Sequence, residues 1–200
     1  YVGGLSKPSK MPGMATSTPA ENCPVGSKLR LIPNSVCSEC YALKGRYPFP
    51  NVQNALKRRL SAIDKPGWAA SMAIAINNQP FFRWHDSGDI QSLQHLEQIV
   101  RVAELTPNTR HWLPTREKKT VQGYLAKRGK FPANLTVRLS AAMIDGDPPE
   151  FPNTSTVHKH NNPAGHECPA HSQGNKCSGH IVNCRACWNP SIPNISYPAQ

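Results

Sequence analysis

The sequence predicts an α/β protein, either a partial (β/α) barrel-like fold or an open parallel sheet, with an irregular cysteine-rich C-terminal segment. Two observations carry that expectation. Between residues 51 and 160, short alternating apolar runs are interleaved with stretches of helical periodicity, the order expected of parallel strands joined by helices. The seven cysteines avoid that region and crowd towards the two ends of the chain. At 200 residues the chain is read as a single domain. Within it we distinguish an N-terminal arm with the first cysteine loop (1–50), an α/β core (51–160) and a cysteine-rich metal-binding segment (161–200).

The elements follow in order. Residues 5–20 (LSKPSKMPGMATSTPA) lack periodicity and hold three prolines, so they predict a loop or an arm laid over the fold. Residues 28–32 alternate like a short strand, which Pro33-Asn34 turns into the first C-x2-C. Residues 51–64 predict a helix through Val52, Ala55, Leu56, Leu60 and Ile63, and residues 68–76 a second, ended by Asn77-Asn78. Residues 81–85 read as a strand, followed by the turn Ser87-Gly88-Asp89, with Asp89 placed to cap the next helix. That helix puts Ile90, Leu93, Leu96, Val100 and Ala103 on one face and stops before Pro107. Residues 110–113 form the next strand, and Thr115 can cap a helix carrying Val121, Tyr124 and Leu125. Leu135, Val137 and Leu139 mark a third strand, and residues 154–158 a fourth.

Net charge is +11 with a pI near 9.6, a balance that favours anionic partners: nucleic acid, nucleotides, or phosphate and carboxylate substrates. The first 59 residues carry nine Lys and Arg against two acids, which fits either a solvated basic face or an anion-binding surface. No apolar run is as long as a membrane span, and Tyr1-Val2-Gly3-Gly4 is unlike a signal peptide, so no membrane partner is expected. Nothing in the sequence speaks to oligomeric state.

The cysteines read as metal ligands rather than a disulfide framework, because they form two separate groups, each containing a C-x2-C pair. Cys168, Cys177, Cys184 and Cys187 lie within twenty residues of one another with little apolar sequence between them. Such a segment cannot fold by burial alone, and a metal would supply the ordering energy. Having one close pair and scattered partners, it points to a 4Fe-4S cluster ahead of zinc. Cys23, Cys37 and Cys40 supply three thiolates, enough for a cluster with one open iron, a second site, or a zinc completed by histidine. One cluster or two are therefore expected. Among the histidines, His158 is the first choice for a contact to metal.

A second group gathers where the predicted strands end. Arg83, His85, Asp86, Arg116 and Arg138 would bind an anionic partner or move protons, since ligand sites of parallel α/β folds form at the carboxyl ends of strands. Helix capping by Asp89 and Thr115, with an Arg116–Asp86 ion pair, would account for part of the same pattern.

The stretches LSKPSKMPG, CSECYALKGRYPFPNVQNALKRRL, FFRWHDSGDIQS, HWLPTRE, LTVRLSAAMIDG and TSTVH, closing with CPAHSQGNKCSGHIVNCRACW, resemble the bacteriophage gene-product-88 family over residues 5–197. The resemblance implies a phage-encoded protein acting in the cytoplasm of the bacterial host. A more distant likeness is to radical S-adenosylmethionine enzymes. In those, a cysteine loop after the first strand holds an open cluster, and a glycine-containing turn after the second contacts the cofactor. That likeness would give Ser87, Gly88 and Asp89 the cofactor turn. Here, however, the third cysteine is Cys23, with thirteen residues before Cys37 instead of three. The likeness therefore carries a related barrel-like fold, and S-adenosylmethionine itself is not expected on it. Three functions compete: an iron–sulfur protein with redox or radical-SAM-like enzymatic activity on an anionic substrate, a nucleic-acid-binding protein with a structural metal, and a small electron carrier. The polar strand-end group favours the first.

Overall fold

Seven strands hydrogen-bond into one sheet in which every adjacent pair is parallel. They are β1 (Met14–Thr16), β2 (Phe81–Trp84), β3 (Arg110–Thr115), β4 (Leu135–Ile144), β5 (Thr154–His158), β6 (His166–Glu167) and β7 (Asn194–Pro198). The helices are α1 (Gly26–Leu29), α2 (Pro50–Leu60), α3 (Trp68–Ile76), α4 (Leu93–Leu105) and α5 (Lys118–Arg128). The structure is a computed structural model that describes residues 1–160, 162–178 and 180–199. Asn161, Gly179 and Gln200, which fall in the expected cysteine-rich segment, lie outside the described residues. No helix among the described residues is long and apolar enough to cross a membrane.

The strand order β1-β2-β3-β4-β5-β7-β6 explains where each layer sits. From β1 to β5 the strands are laid down in chain order, so right-handed crossovers put the connecting helices on one face. Accordingly α3 packs on α4 and α4 on α5. The outward-facing strand residues Phe82, Trp84, Leu113, Val137 and Leu139 meet the helices in one core. The unpaired edges make this an open parallel sheet, the second of the two expected architectures. The last crossover runs backwards, because β7 returns between β5 and β6. A right-handed connection in that direction must cross the opposite face. The cysteine-rich chain between β6 and β7 therefore lies on the inner face, where Trp112, Cys187, Trp188 and Ile195 form a second core.

Most of the expected core elements are found, and the differences have local causes. Residues 28–32, expected as a strand, instead start in the short helix α1 and continue as turn. Leu31 and Ile32 are exposed and no neighbouring strand pairs with them, so local bonds such as Arg30 N–H to Gly26 C=O win. The arm at residues 5–20 contains β1, a three-residue edge strand too short to show a period. Asp89 does not cap α4. Ser92 does, its Oγ accepting from His95 N–H at 3.0 Å. Thr115 does not cap α5 at its N-cap position but accepts from Glu117 N–H at 3.0 Å, one residue before the helix starts.

The strand ends of β1 and β2 are zipped together past the sheet. Thr18 N–H donates to Ser87 C=O at 3.0 Å, and Ser87 Oγ donates to Thr18 C=O at 3.0 Å. Gly88 closes this turn at φ +83, and a Cβ there would stand 1.9 Å from Thr18 Oγ1 and 2.7 Å from Thr18 O. Gly88→Ala should therefore cost about 3 kcal/mol from backbone strain and clash, a drop in melting temperature of roughly 10 °C. Gly123→Ala, in α5 with nothing near its Cβ position, should leave stability unchanged or raise it slightly, which separates a site-specific clash from a general intolerance.

Candidate functional site

The seven cysteines are all free thiols, and the fold gathers them as two groups. The first group lies on the long connection after β1, over the carboxyl ends of the strands. That connection is pinned to the end of β4: Val36 N–H donates to Ala142 C=O and Ile144 N–H to Asn34 C=O, both at 2.9 Å. On its other side Val25 N–H donates to Glu117 Oε1 at 2.9 Å. Between these anchors Cys23, Gly26, Arg30, Cys37 and Cys40 line a small cleft. A Cβ on Gly26 would stand 2.9 Å from Cys23 Cβ and 3.6 Å from the sulfurs of both Cys23 and Cys37. The two sulfurs are thus no further apart than twice that last distance, and glycine keeps the space between them open. Burial, then Asp89 and the neighbouring Cys40 and Cys37, push the Cys23 thiol up to about 12, against a smaller pull from Arg116. Burial raises Cys37 as well, with Arg116 opposing. Thiols held this way ionise readily only when a cation joins them, which is what a bound metal does.

Of the expected strand-end residues, Asp89 and Arg116 act on the cysteines of this cleft, Ser87 and Gly88 lock onto Thr18, and His85 packs against His95. Asp89 is buried and ties β2 to β3, accepting from Thr115 Oγ1 at 2.6 Å, Ile90 N–H at 2.8 Å and Arg116 N–H at 2.9 Å. Burial raises its carboxyl while those hydrogen bonds pull it back. Arg116 donates from Nε to Ala141 C=O at 3.3 Å, and no ion pair joins it to Asp86. The Asp86 carbonyl accepts from the hydroxyls of Tyr41 and Tyr47. Burial pushes its carboxyl up, opposed by Arg83 and Arg59. His85 is buried at φ +58 with neither ring nitrogen bonded, and burial drives its pKa well below the usual histidine range.

The second group sits on the inner face. Cys168 follows β6 directly, its N–H donating to Ser196 C=O at 2.8 Å. Cys177 N–H donates to Lys10 C=O, and Cys184 N–H to Cys177 C=O, both at 2.8 Å. The buried Gln173 side chain knits the loop between them through Lys176 and Val182. Cys187 is buried with its sulfur 3.1 Å from the Tyr197 hydroxyl, and His166 Nε2 approaches the Cys184 sulfur at 3.8 Å. Burial pushes the Cys187 thiol up to about 12, and the Tyr197 hydrogen bond lowers it while Cys168 and Cys177 add to the rise. His158 reaches Ser196 Oγ at 2.8 Å and Glu167 Oε1 at 3.5 Å, beside this group rather than in it.

Arg138, expected with the anion-binding residues, lies elsewhere and is fully buried under the second group. Its guanidinium donates to six backbone carbonyls: Thr154, Ala186, Cys187, Asn189, Ile192 and Pro193, at 2.8–3.4 Å. No donor is left for a ligand, so its role is to hold the turn that carries Cys187. Arg83, half-buried on the inner face of β2, lies flat over Trp112 with 4.6 Å from Cζ to the ring centroid. Arg185 donates to the carbonyls of Cys184 and Cys177 and stands over Phe81. Among the described residues none of these three arginines has a carboxylate within ion-pair distance. Burial, then Cys168 and Cys184, raise the Cys177 thiol, and Arg83 and Arg185 oppose that rise, as Arg138 does at Cys187.

Soft donors, an open space that a Cβ would fill and unpaired arginines suit thiolate-bound metal. Among the described residues no three His, Cys, Asp or Glu side chains converge closely enough to hold an ion as they stand. The groups are gathered thiols, not a formed coordination sphere.

Residues 3–190 match the family described as Gene product 88. The chain belongs to that family. Neither a curated protein nor a solved structure matches it, so the chemistry is argued from the geometry. Within this family member, sequence reasoning missed four residues that the fold brings to the two groups: Gly26, Tyr41, Arg185 and Tyr197. Two had a signal in plain view. Gly26 follows Cys23 by three residues and Arg185 sits inside the second C-x2-C, but each is a common residue with an ordinary local explanation. Tyr41 and Tyr197 become visible only when the chain ends meet the sheet.

Proposed function

We propose that this Gene product 88 protein is a phage-encoded iron–sulfur protein of the host cytoplasm, with redox or radical-type enzymatic activity on an anionic substrate. The observation that supports it most is electrostatic. Four cysteines share the inner face with Arg83, Arg138 and Arg185, and among the described residues no carboxylate lies within ion-pair distance of these arginines, a setting suited to the negative charge of thiolates around a metal. Cys168, Cys177, Cys184 and Cys187 would hold a 4Fe-4S cluster, and Cys23, Cys37 and Cys40 a second centre with one metal position left for a ligand. When bound, such centres supply one-electron redox chemistry and, at a three-thiolate site, a Lewis-acidic position. Arg30 and Arg116 beside the N-terminal cleft would orient an anionic substrate, and Gly26 would keep its entrance open.

Anaerobic purification followed by iron, sulfide and zinc analysis tests this. About four iron and four sulfide are expected for the C-terminal set, lost in Cys184→Ser/Cys187→Ser. A second share should be lost in Cys37→Ser/Cys40→Ser and in Gly26→Val. Stoichiometric zinc without sulfide or a visible charge-transfer band would overturn the iron–sulfur reading. The alternative, a nucleic-acid-binding protein with a structural zinc or iron–sulfur site, draws on the +11 charge and on Lys57, Arg58 and Arg59 in the last turn of α2. Binding to nucleic acid that weakens steeply with salt, together with zinc alone, would favour it.

A further inference from the structure

The three arginines around the C-terminal cysteines are not equivalent. Arg138 is consumed by carbonyls, and Arg185 by the carbonyls of Cys184 (2.7 Å) and Cys177 (3.5 Å) and by Ser178 Oγ (2.9 Å). Both explain themselves as struts of the ligand loop. Arg83 does not. Its contacts are the Trp112 face, Met11 Sδ at 3.8 Å and the Tyr41 hydroxyl at 3.4 Å, and its Nε is buried without a partner. A half-buried guanidinium whose Nε is enclosed without a partner, and which has no ion pair, costs stability unless a negative group arrives beside it.

Asp86 is the carboxylate that acts on Arg83, and it lies beyond ion-pair distance. Burial opposes the charge of Arg83, but Tyr41, Asp86, Tyr197 and Cys187 together outweigh that and hold it protonated. Arg83 touches residues that border each thiol group. On one side Tyr41 follows Cys40 in the chain. On the other, Trp112 packs on Trp188 at 5.2 Å, and Trp188 follows Cys187.

Resting on the iron–sulfur reading above, we propose that Arg83 is the counter-charge of the C-terminal thiolate set, a positioning residue that sets its metal affinity and reduction potential. Loading the set turns four neutral thiols into thiolates, and a one-electron reduction adds a further negative charge. A fixed cation nearby favours both changes, so removing it weakens metal binding and lowers the potential.

Arg83→Met and Arg83→Lys in the full chain test this, the C-terminal signal being the one that Cys184→Ser removes. Arg83→Met should lower metal affinity about tenfold by competition with a chelator. With iron bound, its potential should fall by a comparable factor, a tenfold ratio being 59 mV for one electron. Arg83→Lys should keep most of both. If the Met variant does not fold, Arg83→Gln is read in its place, since it keeps a polar side chain on Trp112 without the charge. Unchanged affinity and potential in the uncharged variant would overturn the proposal, and so would a Lys variant as impaired as Met, because packing would then be the cause. A wild-type C-terminal set that takes up no metal would overturn the iron–sulfur reading and this inference with it.

Discussion

Arg138→Met should cost the protein at least about 4 kcal/mol and release the C-terminal cysteine segment from the sheet. The six carbonyls that Arg138 satisfies belong to the turn at residues 186–193 and to the start of β5, all on the buried inner face. A methionine fills most of the volume but donates nothing, so these acceptors are stranded or must draw in water. Lysine should rescue little. Its ammonium concentrates three donors at one point, whereas these acceptors fan around a planar group. Urea unfolding and limited proteolysis of the C-terminal segment give the readout. The Trp188 indole, which donates to Phe82 C=O at 3.0 Å, offers a fluorescence signal for undocking. Recovery to within about 1 kcal/mol by Arg138→Lys would show that charge, rather than the fan of donors, is what the site needs.

Acid should destabilise the fold through its buried histidines. Burial lowers His95 and His111 from 6.5 to about 4. The Trp84 indole N–H donates to His111 Nδ1 at 3.3 Å, so the proton sits on Nε2, which donates to Thr106 Oγ1 at 2.8 Å; Thr106 in turn donates to Val102 C=O. That arrangement accepts only the neutral ring. His95 Nδ1 likewise accepts, from Gln91 N–H at 3.2 Å. Because both folded pKa values lie below the unfolded one, the unfolded chain takes up protons first as pH drops. Stability is complete above the unfolded value near 6.5, falls below it, and levels off once pH passes the folded values. Each ring should remove about 2 kcal/mol by pH 5 and about 3 kcal/mol at the limit. His85, shifted in the same direction, adds to the slope. Unfolding free energies at pH 7.5 and pH 5 should differ by at least roughly 4 kcal/mol in the wild type and by clearly less in His111→Gln. An equal difference in the variant would remove His111 from the account.

The α/β core was legible because helices and strands there carry their own period. Helix α3 and strand β5 coincide with the spans expected from residues 68–76 and 154–158, and β2, β3 and β4 begin where the alternation begins. The short edge strands β1 and β6 and the final β7 were not legible: three, two and five residues next to prolines and cysteines show no period, and they form because a neighbouring strand offers hydrogen bonds. The strand-like alternation at residues 28–32 failed for the converse reason, having no strand to pair with.

By itself, the sequence determined that this is an α/β protein with two separate groups of cysteines outside its core, because residue type and period are local properties. Only the tertiary structure decided what surrounds those groups. Reversal of the strand order at β7 sends the last crossover to the inner face, and that brings Cys187 against Tyr197, Arg138 under its turn, and Trp188 against the Trp112 ring on which Arg83 lies. In the sequence Arg83 and Arg138 look alike, each a charged residue alternating with apolar ones. The fold gives one of them six carbonyls and leaves the other without an ion pair, because hydrogen-bond partners are set by which segments the winding of the sheet brings together.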